Sequence, residues 1–210
     1  MTPHPSKIIG IGRNYAAHAA ELGNDVPTSP LIFLKAPSSI LADGATIRLP
    51  RESQRVEFEG EIGIVIGARA RHVAERDAAR VVRGVVAFND VTARDIQKAE
   101  GQWTRAKGFD TFGPIGSEQA YVGDWGALSV VTRVNGAERQ RSRADLMVFP
   151  IPRLVAFVSS VMTLEPGDII ATGTPSGTAA LAAGDMVEVA IEAPDGRTLS
   201  RVGNPVAAAE

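Results

Sequence analysis

Residues 56–66 read Val-Glu-Phe-Glu-Gly-Glu-Ile-Gly-Ile-Val-Ile, and their period of two constrains the fold more than any other feature. Val56, Phe58, Ile62, Ile64 and Ile66 share one parity, with Gly60 among them, while Glu57, Glu59 and Glu61 share the other. An extended strand separates the two sets, because successive side chains alternate between faces. The same geometry sets three carboxylates in a row, about 6.5–7 Å apart. Like charges so placed repel one another. Burying them unpaired is costly or forces them neutral through raised pKa values. A hard divalent cation removes the conflict by accepting oxygen ligands at roughly 2.0–2.6 Å. A second apolar run, Gly84–Phe88, delivers Asn89 and then Asp90, a potential third carboxylate. Taken alone, the glutamates fit an exposed acidic face paired with lysines and arginines equally well, and Asp90 fits a turn.

The rest of the chain reads as many short strands and few helices. Lys7–Gly12, Leu31–Leu34, Leu128–Val134, Asp168–Thr172 and Met186–Ile191 are further strand candidates, with hairpin turns at Asn135-Gly136 and Asp195-Gly196. Asn14 is placed to cap a helix from Tyr15 to about Leu22, closed by Gly23 and Asn24. Val73–Val82 is predicted helical. Pro152 opens another helix, with Leu154, Val155, Val158, Val161 and Met162 on one face. The 21 glycines and 13 prolines punctuate these elements throughout. The pattern predicts a mainly β, α+β domain rather than a regular βαβ alternation. No repeat or linker divides the 210 residues, so one domain spanning 1–210 is expected.

Composition excludes several classes. Twenty-two basic and 24 acidic residues leave a net charge of −2 with no basic stripe, so neither nucleic acid nor an anionic membrane is an expected partner. No run approaches the ~20 apolar residues of a membrane span. The first residues lack a basic segment followed by an apolar run, so no signal peptide is expected. The absence of cysteine removes disulfides and thiolate chemistry and suits a reducing cytoplasm. It also disfavours zinc, as does the lack of histidine near the carboxylates in sequence; all-oxygen ligation favours Mg²⁺, with Mn²⁺ or Ca²⁺ as alternatives. Gly10-x-Gly12 lacks the third glycine of a dinucleotide loop, and no G-x-S-x-G elbow is present.

Six segments, in order, resemble the fumarylacetoacetate hydrolase family. They are Gly12-Arg13-Asn14-Tyr15 with His18 and Glu21; Leu31-Ile32-Phe33-Leu34-Lys35; Val56 to Ile62; Asn89 to Asp95 with Gln97; Lys107 to Pro114; and Gly173-Thr174-Pro175-Ser176-Gly177. The resemblance is to the compact members: acylpyruvate hydrolases, oxaloacetate decarboxylases, and the isomerases and decarboxylases of homoprotocatechuate degradation. It implies a mixed β-roll with a few short helices, usually a homodimer, and a metal held by Glu59, Glu61 and Asp90. Glu57 falls outside that set.

The resemblance also implies roles for other residues. Lys107 sits beside the metal, where its ammonium stabilises or protonates an enolate. His18 and Glu21, three apart on one helix face, form a dyad on a lid spanning residues 13–24, and the carboxylate makes the imidazole a general base for water. Gln97 and Thr174 are substrate-binding candidates, and Arg13 and Lys35 are candidates for contact with an anionic group. Taken alone, each of these residues fits a structural or surface role. The expected function is hydrolysis of acylpyruvate-type 2,4-dioxo acids, cleaving a C–C bond through a metal-stabilised pyruvate enolate. Oxaloacetate decarboxylation and 2-hydroxyhepta-2,4-diene-1,7-dioate isomerisation are the alternatives within the family. A non-catalytic domain binding metal or a 2-oxo acid is the alternative from another class.

Overall fold

Two five-stranded sheets form the body of the computed structural model, which describes residues 5–209. His4 lies outside the described residues. The first sheet runs, edge to edge, Leu31–Lys35, Ile8–Gly12, Ile169–Ala171, Gly60–Ile66 and Val82–Asn89. Ile8–Gly12 and Ile169–Ala171 pair in parallel, and the other pairs are antiparallel. The second sheet runs Ala137–Arg143, Ser129–Val134, Met186–Glu192, Thr198–Ala208 and Ile47–Leu49, with only the last pair parallel. Two-stranded pairs join Ile40–Leu41 to Gly113–Pro114, and Val56–Glu57 to Thr92–Ala93. This is the mainly β, α+β fold that the sequence pattern predicts, with the mixed sheets that the resemblance implies.

The sheets share one core. Ile9, Ile62 and Ile64 of the first meet Val130, Val189 and Val202 of the second. Leu154, Val155 and Val158 of the helix Ile151–Val161 join the same cluster. Pro152 stands in the first turn of that helix as expected, but Val161 is half exposed and Met162 is its C-terminal cap, so the apolar face is shorter than predicted. The Asn135-Gly136 hairpin forms as predicted, with φ of 53° and 80° at its two central residues.

Three local expectations need correction. Val56–Ile66 is not one strand. It breaks at Phe58 and Glu59, so that Val56–Glu57 pairs with Thr92–Ala93 and Gly60–Ile66 enters the large sheet. Both parities are buried from Val56 to Ile66, the glutamates included. The Val73–Val82 helix is a 3₁₀ segment at Glu75–Arg80, and Val82 already belongs to the next strand. Of that segment only Ala78 is buried, so it lacks the apolar stripe that would hold a longer helix against the core. Asn14 does not cap the helix Ala16–Glu21, whose N-cap is Tyr15 without a side-chain bond. The Asn14 amide instead donates to the carbonyls of Phe149 and Thr172 and accepts from the Phe149 N–H, fastening the chain before the helix to two distant loops.

Candidate active site

The strand break places the carboxylates. The Asp90 N–H donates to the Glu59 carbonyl at 2.8 Å, and the Glu59 N–H donates to the Asn89 side chain at 3.0 Å. Strand ends crossed in this way aim Glu59, Glu61 and Asp90 at one point, with one oxygen from each lying within 4.8 Å of the others. Gly60 permits the bend. A Cβ there would stand 1.9 Å from the Thr132 hydroxyl, and its N–H donates to Gln140.

These charges are buried, and most are answered. Glu57 and Glu59 both accept from the Arg94 guanidinium, Glu57 at 2.7 Å. Lys107 Nζ lies 2.7 Å from Glu59 and 2.6 Å from Asp90, and 5.1 Å from the centre of the Phe33 ring. Burial alone would raise the Glu59 carboxyl, but Lys107 and Arg94 outweigh it and hold it well below the ordinary range. Burial would lower Lys107, but Asp90 and Glu59 keep its ammonium charged. Glu61 goes the other way. Burial, then the charges of Asp90 and Glu59, push it far up, against the opposing charge of Lys107 and the 2.8 Å bond from the Gly173 N–H. Asp90 Oδ1 is buried against the Lys35 ammonium, 2.7 Å away. Three converging buried carboxylates, of which Glu61 has no ion-paired cation of its own among the described residues, fit a hard divalent cation.

Glu59, Glu61, Asp90 and Lys107 open into a cavity of about 760 Å³, which His18, Arg13, Gln97 and Thr174 also line. His18 is buried on the short helix, and its Nδ1 lies 3.1 Å from Glu21. Glu21 also accepts from the Gly177 N–H. The fold thus brings to the cavity a histidine that is distant in sequence from the carboxylates, though His18 stands outside the three-oxygen cluster. Gln97 accepts from Arg94, leaving its NH₂ as a donor. The Thr174 hydroxyl donates to the Gly60 carbonyl and accepts from Gln140, so its proton is already used. Lys35 does not line the cavity. It lies beneath it, against Asp90 and the carbonyl of Lys107.

Residues 7–207 match the family described as fumarylacetoacetate (FAA) hydrolase, C-terminal. The chain belongs to the fumarylacetoacetate hydrolase family. Relatives and solved structures agree. Over 197 residues it is 44% identical to a protein of Arabidopsis thaliana named mitochondrial oxaloacetate tautomerase FAHD1, covering 91% of this chain and 88% of that one. It superposes on the 5-carboxymethyl-2-hydroxymuconate delta-isomerase of Mycobacterium smegmatis with a TM-score of 0.90 and 43% identity, over 99% of this chain and 81% of that one. For the 2-hydroxyhepta-2,4-diene-1,7-dioate isomerase of Mycobacterium marinum the TM-score is 0.88 at 40% identity, over 98% and 76%. The protein is thus an enzyme of the fumarylacetoacetate hydrolase family. Among the described residues, no helix is long and apolar enough to cross a membrane.

Two residues of this family member escaped the sequence reading. Arg94 is the cation that makes the buried glutamates tolerable, and its signal was there: a row of buried acids requires a cation, and Arg94 follows Asp90 by four residues. Trp103 lines the cavity and meets Phe33 edge to face, 5.3 Å between ring centres. Nothing near Trp103 in the sequence points to that contact.

Proposed function

We propose that the protein is a divalent-metal-dependent hydrolase of acylpyruvate-type 2,4-dioxo acids. The observation that carries this is the meeting, in one cavity, of three crowded carboxylates, a charged ammonium and a carboxylate-backed imidazole. Glu59, Glu61 and Asp90 would hold Mg²⁺, and Mn²⁺ or Ca²⁺ would suit the same oxygens. Such an ion supplies Lewis acidity toward the keto oxygen and carboxylate of a 2-oxo acid.

The remaining chemistry falls to the side chains. Glu21 engages His18 Nδ1, which leaves Nε2 to take a proton from water. The water oxygen bonds to C4, the acyl carbon, and the C3–C4 bond breaks. Its electron pair spreads over C3 and the keto oxygen as an enolate. Two of the three Lys107 N–H groups are held by Glu59 and Asp90, which leaves the third for the developing charge. The His18 imidazolium returns its proton to C3, giving pyruvate and the acyl group as a carboxylic acid. Gln97, its carbonyl held by Arg94, donates to the substrate, and Thr174 offers its backbone rather than its hydroxyl.

A second reading, keto–enol tautomerisation or isomerisation of oxaloacetate-like diacids, is supported by the names of relatives 40–44% identical to the chain. It needs the same acid–base pair but no attacking water. Decarboxylation of oxaloacetate would use the same enolate. The test is a panel of acetylpyruvate, enol-oxaloacetate and keto-oxaloacetate with Mg²⁺ or EDTA. Hydrolysis predicts Mg²⁺-dependent release of acetate and pyruvate. Ketonisation without cleavage of any acylpyruvate would replace the first reading with the second, and turnover undiminished by EDTA would remove the metal from both. The resemblance also carries a homodimer, and the absence of cysteine suits the cytoplasm; light scattering and localisation of a tagged chain test these.

A further inference from the structure

The cations around the cavity divide into two kinds. Lys35, Arg94 and Lys107 are each committed to Glu57, Glu59 or Asp90. Arg13 lines the same cavity, half-buried, with no ion pair or hydrogen bond among the described residues. Lys98 is likewise unpaired, but it is exposed.

Arg13 is also held in place. Its φ of 57° lies in the left-handed region, uncommon for a residue with a side chain. Gly12, before it, closes the strand Ile8–Gly12 opposite Leu31. Asn14, after it, is fixed by its bonds to Phe149 and Thr172. A strained backbone fixed on both sides, beside an unanswered charge, marks a position where the fold enforces a conformation for a ligand.

Charge identifies the ligand. With every carboxyl ionised, as a bound cation would hold them, Glu57, Glu59, Glu61 and Asp90 are matched one for one by Arg55, Arg94, Lys107 and Lys35. A divalent ion then adds two positive charges, and the carboxylate of a 2-oxo acid answers one of them. Arg13 then remains as a further cation for a second anion. The cavity wall also includes Leu22, Ile32, Phe33 and Trp103, which suit a carbon chain between two charged ends. We infer that Arg13 binds the distal carboxylate of a dicarboxylic substrate, so that the group attached to the 2-oxo acid itself ends in a carboxylate. A planar guanidinium matches that group in bidentate fashion. This rests on the proposal that the 2-oxo acid end sits at Glu59, Glu61 and Asp90.

Matched pairs of 2-oxo acids without a 4-oxo group test it: 2-oxobutyrate with oxaloacetate, 2-oxovalerate with 2-oxoglutarate, and 2-oxohexanoate with 2-oxoadipate. Affinities for the Mg²⁺-loaded protein are read from Trp103 fluorescence and by calorimetry, with oxalate as a reference for the 2-oxo acid end. At the best-fitting length the diacid is expected to bind at least ~10-fold more tightly than its monoacid. R13Q is expected to erase that preference, and R13K to restore part of it. Should oxalate bind while the parent shows no diacid preference, or should R13Q keep the parent's preference within twofold, the Arg13 assignment is overturned. Failure of oxalate to bind would instead overturn the reading beneath it. A melting curve for each variant separates loss of the contact from loss of the fold.

Discussion

Arg94 and Lys107 on the cavity floor, and Lys35 beneath it, are at no more than 2% exposure, each against a carboxylate. The rim is built otherwise. Its helix Ala16–Glu21 has six residues and no side-chain cap, and Glu21 and Leu31 are exposed. The floor is fixed by ion pairs that cannot be removed singly without stranding a buried charge. The rim is fixed by a few bonds from loop backbone and by the Asn14 anchor. Groups that must hold charge are pre-set, whereas groups that must admit substrate sit on the less stable element.

The first way to break this contrast is Asp90→Asn. Calorimetry with Mn²⁺ is expected to show no binding, and turnover is expected to fall by roughly 10³-fold. Retained metal affinity would mean that the floor does not hold the ion. Next comes His18→Ala, expected to lower acylpyruvate hydrolysis by about 10²-fold while Mn²⁺ still binds, because the dyad belongs to the rim. Hydrolysis at the parent rate would remove the dyad from the mechanism. Third, Arg94→Met leaves Glu57 and Glu59 short of a buried partner and is expected to cost roughly 3–5 kcal/mol in denaturant unfolding. Glu21→Gln, on the rim, is expected to change stability by less than about 0.5 kcal/mol. Equal costs for these two would erase the distinction between floor and rim.

The smallest effect is one of pH, away from the cavity. Burial would raise the Asp168 carboxyl, but Lys7, Ser6 and the Glu165 N–H together hold it below its ordinary value. A carboxylate depressed in the fold contributes stability that is complete above its unfolded value, about 3.9, and lost as pH falls through its folded value. Melting temperature is therefore expected to dip below about pH 4, and Asp168→Asn to flatten that part of the curve.

The contrast also explains what the sequence could reveal. The grouping of Glu59 and Glu61 with Asp90, about thirty residues on, was legible through the family resemblance, and strand periodicity and the Asn135-Gly136 turn were legible because short-range pattern determines them. So was the mixed-sheet α+β architecture. The break at Phe58 and Glu59 was not, because it depends on pairing with Thr92 and Ala93 and on the Asn89 side chain, all about thirty residues away. The positions of Lys35, beneath the cavity, and of the Asn14 side chain are likewise long-range facts. Both residue types have ordinary local uses, as an anion contact and as a helix cap, and tertiary partners overrode them.

The Gly173–Gly177 turn has one more consequence. A backbone N–H at one end holds Glu61, and another at the far end holds Glu21. Both termini have φ of 100°, and a side chain on Gly173 would strike Asn14. The turn is therefore a spacer of set length between the helix that carries His18 and Glu21 and the cluster of Glu59, Glu61 and Asp90. A single residue inserted there would alter the reach from the His18 imidazole to the Glu61 carboxylate while leaving every side chain of the cavity intact.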